Sequence, residues 1–151
     1  MFYNSYYLVE YFKMKKKLNC VLLVDDDDDC HFFNQRLLNK LDCTEQISIV
    51  NNGKEALDYL SKAILGAAIL PELILLDLNM PLIDGWEFLD EFEKMDQNIC
   101  GKIVIIILTT SIHPADKEKA KEYKSVADFQ IKYLSKEACS KLLLAHFPSH
   151  H

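Results

Sequence analysis

The stretch CVLLVDDDDDC, Cys20 to Cys30, joins five apolar residues without a break to five consecutive aspartates. A half-buried strand alternates apolar and polar residues, so an unbroken Val/Leu run of this length reads as a strand covered on both faces. Outward from it the pattern recurs: Gln46 to Val50, Leu73 to Leu76, Ile103 to Leu108 and Ala127 to Ile131 are further strand-length runs, each followed by a segment of helical periodicity. Phe33, Leu37 and Leu41 mark the apolar face of a first helix, and Ala56, Leu57, Leu60 and Ile64 that of a second. Trp86, Phe88, Leu89 and Phe92 belong to a third, with Asp84 as its N-cap. A polar fourth helix is expected over Ala115 to Lys124, with Ala120 and Tyr123 its best apolar positions. A fifth is expected over Lys136 to His146, with Ala138, Leu142 and Ala145 on one side and Ser135 as its cap. Alternating strands and helices imply an α/β architecture with a doubly wound parallel sheet of five strands. The connection from Phe92 to Lys102 is loosely specified.

A chain of 151 residues is the size of one ordinary domain. Its formal charge of -6 argues against a nucleic-acid binder, because affinity for phosphate backbones comes mainly from Lys and Arg. Cys20, Cys30, Cys43, Cys100 and Cys139 form no CxxC pair and no zinc-spaced cluster, as expected of free thiols in a reducing compartment. No apolar run approaches the roughly 20 residues of a membrane span, and the first residues lack the features of a signal peptide. A cytoplasmic protein without membrane or direct nucleic-acid contact is the expectation. Residues 1–17 read as an N-terminal extension, in which Phe2, Tyr3, Tyr6, Tyr7, Tyr11 and Phe12 precede Lys13, Lys15, Lys16 and Lys17. Two readings stay open for it: a dispensable segment, with Met14 as an alternative start, or an aromatic arm packing on the domain or on a second copy. Residues 18–147 would hold the domain and 148–151 a frayed tail.

In open parallel sheets, ligands bind beyond the carboxyl ends of the strands. After the first strand come Asp25 and Asp26; after the third, Asp77-Leu78-Asn79-Met80-Pro81; after the fourth, Thr109-Thr110-Ser111; at the end of the fifth, Lys132. Three carboxylates meeting at one edge raise each other's pKa unless a cation shares them. A hard divalent ion with oxygen ligands resolves the conflict, Mg²⁺ above all, with Mn²⁺ able to substitute. One carboxylate could then act as a nucleophile toward phosphorus, with the ammonium and a hydroxyl stabilising phosphoryl oxygens.

Asp25-Asp26, the run LLDLNMPLIDG from Leu75 to Gly85, Thr109 and Lys132 together resemble the active-site set of two-component response-regulator receiver domains of the stand-alone, CheY-like type. The likeness spans about Leu18 to Phe147. It implies a flavodoxin-like (βα)5 fold with strand order 2-1-3-4-5. It further implies that Asp77 accepts a phosphoryl group from a sensor histidine kinase or a histidine phosphotransfer protein. Asp26, Asp77 and the main-chain carbonyl of Asn79 would bind Mg²⁺, and Asp25 would hold a metal-bound water. Lys132 would pair with Asp77 and then with the phosphoryl group. Thr109 would turn toward a phosphoryl oxygen, and Phe129 would follow it as a switch. Asp84 and Gly85 would shape the loop and helix start after Asp77. Such a domain signals through protein contacts, as a monomer or weak homodimer, and is not a turnover enzyme.

Three points depart from or compete with this reading. Receiver domains usually carry Pro after the lysine, in a cis peptide, whereas Tyr133 follows Lys132; a non-proline cis bond costs about 2.5 to 4 kcal/mol, so a trans peptide is expected. A one-residue register shift would give the role of Thr109 to Thr110 or Ser111. The rival functions are a Mg²⁺-dependent phosphatase with an Asp nucleophile, disfavoured by Asn79 where a second acid is usual, and a degenerate receiver that only binds proteins. In the opening run, Asp25 and Asp26 are assigned to metal, while Asp27, Asp28 and Asp29 start a helix, whose free N–H groups and positive end favour carboxylates.

Overall fold

Strand β1 (Leu18–Val24) lies between β2 (Thr44–Val50) and β3 (Leu73–Leu76), and the five residues Cys20 to Val24 are buried. With β4 (Val104–Thr109) and β5 (Val126–Ile131) they form one parallel sheet in the order β2-β1-β3-β4-β5. This is a computed structural model, and it describes residues 13–150. The aromatic-arm reading of the N-terminal segment falls on residues 1–12 and so lies outside the described residues.

Alternate residues of the central strands feed two cores, which is why their sequences run apolar without a break. Val21, Leu23, Leu73, Leu75, Ile106 and Leu108 face one side. There Leu38 and Leu41 of α1 (Asp28–Leu41) and Leu142 and Leu143 of α6 (Lys136–His146) cover them. Leu22, Val24, Ile74, Leu76, Ile105 and Ile107 face the other. Their cover comes from α2 (Gly53–Ile64), α3 (Gly85–Phe92), the single turn α4 (Gln97–Cys100) and α5 (Pro114–Ala120). Burying a Leu or Ile side chain of this kind stabilises by roughly 1.5–3 kcal/mol. The expected caps form. The Asp84 side chain accepts from the Glu87 N–H while the Glu87 carboxylate accepts from the Asp84 N–H, and Ser135 accepts from the Ala138 N–H.

The helix faces differ from expectation in three places. Phe33, placed by periodicity on the buried face of α1, is 51% exposed; that face is Cys30, His31, Asn34, Leu38 and Leu41. Its polar members are tolerated because His31 meets the Asp25 carbonyl and Asn34 donates to the Cys30 sulfur. Ala145 is exposed, and α6 instead buries Cys139, Ser140, Leu142 and Leu143. The fourth expected helix is shorter than its polar segment, ending at Ala120, with Tyr123 beyond it stacked on Trp86.

The two ends of the described chain meet. Met14 is buried in the core on the α1/α6 side, and the Lys15 and Lys16 N–H groups donate to the His150 carbonyl at 2.8 and 3.2 Å. The tail, expected to fray, forms a short turn of 3-10 helix over Pro148–His150, with the His150 ring edge-on to Phe147.

Candidate functional site

The carboxyl ends of β1 and β3 are side by side, and each delivers an aspartate. The Asp25 N–H donates to the Val50 carbonyl at 3.2 Å and the Asp77 N–H to the Val24 carbonyl at 2.9 Å, so the ladder of the sheet extends into both residues. One oxygen each from Asp25, Asp26 and Asp77 lie within 4.8 Å of one another, with Asp25 and Asp77 buried and Asp26 exposed. The rest of the aspartate run does what a helix start needs: the Asp27 side chain accepts from the Asp29 N–H, and Asp28 and Asp29 occupy the first turn of α1.

Asp77 sits in a tight loop. The backbone N–H groups of Leu78 and Asn79 work against the rise of its pKa. The Asn79 residue itself is exposed at the rim. Gly85, at the start of α3, donates its N–H to the Leu78 carbonyl at 2.9 Å, and a Cβ there would fall 2.6 Å from the Asp77 carbonyl oxygen. A side chain at this position would thus collide with backbone.

Lys132 follows β5, with its N–H donating to the Thr109 carbonyl at 2.8 Å. Its side chain is only 5% exposed; Nζ lies 2.7 Å from Asp25 Oδ2 and 3.6 Å from Asp77 Oδ1. The expected pairing with Asp77 is therefore the longer of two contacts. Burial works against the ammonium charge, but the hydrogen bond to Asp25 and the charges of Asp77 and Asp25 outweigh it and hold Lys132 above its ordinary pKa. Burial, followed by the Asp25 charge, pushes Asp77 up to about 6, against the opposing pull of Lys132. Oxygen donors alone, crowded so that one is reluctant to ionise, suit a hard divalent cation.

The Lys132–Tyr133 peptide is cis, which corrects the trans expectation. The intrinsic trans preference of a non-proline peptide is overridden where both flanks are held. Lys132 is fixed by Thr109, Asp25 and Asp77, and Leu134 is buried. The Tyr133 ring packs edge-on against Phe33 at 5.4 Å between centroids.

Thr109, fully buried, is the last residue of β4, and its Oγ1 accepts from the Ser111 N–H at 3.2 Å. Thr110 is exposed, and the Ser111 hydroxyl is tied to Asp116 in the first turn of α5, so neither takes the strand-end position. Phe129 is half-buried in β5 against the core on the α5 side.

The sequence assigned no role to His31 and read Cys30 only as a free thiol. Both belong to the site's support. His31 Nε2 is 2.7 Å from the Asp25 carbonyl oxygen, and the Cys30 thiol, pushed up to about 12 by burial and then by Asp25, stays protonated beside that carboxylate. Their positions five and six residues after Asp25, in the first turn of α1, were the available signal.

The family model described as "Response regulator receiver domain" matches residues 21–145. Among curated proteins, the chain is 34% identical to the "Probable methanogenesis regulatory protein FilR2" of Methanothrix harundinacea, over 78% of this chain and 74% of that protein. It is 33% identical to "Hybrid signal transduction histidine kinase I" of Dictyostelium discoideum over 82% of this chain but 7% of that much longer protein. Among solved structures, a two component response regulator from Cytophaga hutchinsonii superposes with a TM-score of 0.80 at 31% identity, covering 88% of this chain and 99% of that one. The Mn²⁺-bound form of response regulator Rcp1 gives a TM-score of 0.69 at 25% identity, over 84% of this chain and 92% of that one. With its five parallel strands in the order 2-1-3-4-5 and its acidic strand-end pocket, the chain belongs to the response regulator receiver domain family.

Proposed function

We propose that this receiver takes a phosphoryl group onto Asp77 in the presence of Mg²⁺ and signals through protein contacts that depend on that group. The observation that carries the reading is one buried carboxylate, Asp77, with two more within 4.8 Å and an ammonium 3.6 Å away. An ionised Asp77 oxygen attacks the phosphorus of a donor phosphohistidine; the new P–O bond forms as the P–N bond breaks, and its electron pair returns to the donor imidazole. Asp26, Asp77 and the Asn79 main-chain carbonyl would hold Mg²⁺, with Asp25 acting through a water. The ion, when bound, offsets the negative charge that carboxylates and phosphoryl oxygens concentrate there. Lys132 supplies a second positive charge from within the chain. Thr109, already at the strand end, turns its hydroxyl toward a phosphoryl oxygen, and Phe129 repacks in response.

The donor is a sensor histidine kinase or a histidine phosphotransfer protein, in keeping with the match to part of a hybrid kinase. We place the receiver proper within residues 18–147, between an N-terminal extension and a short tail, working in the cytoplasm as a monomer or weak homodimer. No described helix is long and apolar enough to cross a membrane. The test is Mg²⁺-dependent labelling with acetyl phosphate. Wild type should give an acid-stable, base-labile adduct and Asp77→Asn none; labelling that survives the substitution overturns the assignment.

A further inference from the structure

We infer that His31 is a positioning residue for the acidic pair: its imidazole holds the Asp25–Asp26 peptide in the orientation that places Asp26 beside Asp25 and Asp77. The inference rests on the divalent-cation reading above. His31 lies in the first turn of α1, where its N–H donates to the Asp27 carbonyl at 3.1 Å, and it is only 4% exposed. Its Nε2 is 2.7 Å from the Asp25 carbonyl oxygen. A carbonyl only accepts, so Nε2 carries the proton. Nδ1 is then a bare acceptor, buried and without a partner.

Burying an unpaired polar atom is unfavourable, and a leucine would fill the same space without that cost. What a leucine could not do is hold the Asp25 carbonyl. Every other polar atom of Asp25 is already engaged: N–H with Val50, Oδ1 with the Asp27 N–H at 2.9 Å, Oδ2 with Lys132. His31 completes the set, and through the carbonyl it fixes the peptide that leads to Asp26. Among the described residues the Asp26 carboxylate has no hydrogen bond or ion pair of its own, so what keeps it within reach of Asp25 and Asp77 is the backbone that places its Cβ. Groups that orient ligands from behind typically cost 10–100-fold in metal affinity when removed.

The experiment measures Mn²⁺ binding by calorimetry, at one neutral pH, for wild type, His31→Leu and His31→Gln, with a melting curve for each. Glutamine keeps an N–H donor at similar reach. His31→Leu should bind Mn²⁺ roughly tenfold more weakly while remaining folded, and His31→Gln should stay within about twofold of wild type. In metal-free protein the Asp26 amide resonance should move in His31→Leu and much less in His31→Gln. Wild-type affinity in a folded His31→Leu, or a glutamine variant as weak as the leucine one, overturns the inference while leaving the cation reading intact. Absence of Mn²⁺ binding by wild type overturns both. Should His31→Leu fail to fold, nitrogen spectra of wild-type His31 decide: an Nε2–H tautomer with a slowly exchanging proton is expected, and an Nδ1–H tautomer refutes the contact.

Discussion

Lys132 Nζ is 2.7 Å from Asp25 Oδ2, nearly an ångström closer than its 3.6 Å approach to Asp77. The cation that links the two strand-end carboxylates thus bonds one of them directly and leaves the other less compensated. Burial and then the Asp25 charge raise the Asp77 pKa, and the ammonium, held nearer Asp25, opposes them only in part, so Asp77 gains from a further cation.

Removing the ammonium leaves two buried carboxylates facing each other. Lys132→Met should destabilise the metal-free protein by roughly 3 kcal/mol, the scale of a buried pair broken on one side, and Mg²⁺ should restore part of the loss. Thermal melts with and without Mg²⁺ measure this, and equal melting temperatures for wild type and variant without Mg²⁺ would count against it.

Asp77 titrates near 3.8 when unfolded and at about 6 in the fold. Between those values unfolding releases a proton, so metal-free wild type loses stability as pH rises from about 4 to 6, and the loss is complete above 6. Asp77→Asn lacks this term. Its unfolding free energy should exceed that of wild type by a margin that opens across that window to about 1–2 kcal/mol at neutral pH, read from urea unfolding at a series of pH values. A margin that does not change with pH would contradict the crowding argument.

At Gly85 the obstacle to a side chain is backbone on two sides, the Asp77 carbonyl at 2.6 Å and Leu78 Cα at 2.8 Å. Gly85→Ala should cost about 1–3 kcal/mol in urea unfolding and slow labelling of Asp77, because the loop that carries the carboxylate must shift. Unchanged stability would mean that the loop yields freely.

Phe33 and Tyr133, 51% and 57% exposed, touch edge-on between α1 and the segment after β5. A double-mutant cycle with alanine at each position should give a coupling of about 0.5–1 kcal/mol, at the lower end for exposed rings. A coupling of zero would mean that the contact is incidental.

How far the sequence could be read depended on where each residue's environment is set. The strands were legible because burial on both faces leaves an unbroken apolar record, as in Cys20 to Val24. The strand-end residues were legible too: Asp25, Asp77 and Lys132 each follow a strand directly and Thr109 ends one, so the topology alone brings them to one edge. The face of α1 was not. Counting apolar residues put Phe33 inside, whereas the helix buries His31 and Asn34, polar groups admitted by specific hydrogen bonds that periodicity does not register. Nor could spacing foretell that Lys132 favours Asp25, or that its peptide with Tyr133 is cis, since both depend on contacts from several elements at once.

The joining of Lys15 and Lys16 to His150 brings both ends of the described chain to the pole opposite the acidic pocket. With residues 13 and 150 as its limits, the described part of the chain can be closed into a ring by a linker of a few residues, with new ends cut in an exposed loop. A permuted variant that still takes label at Asp77 would show that the acidic edge is indifferent to where the polypeptide starts.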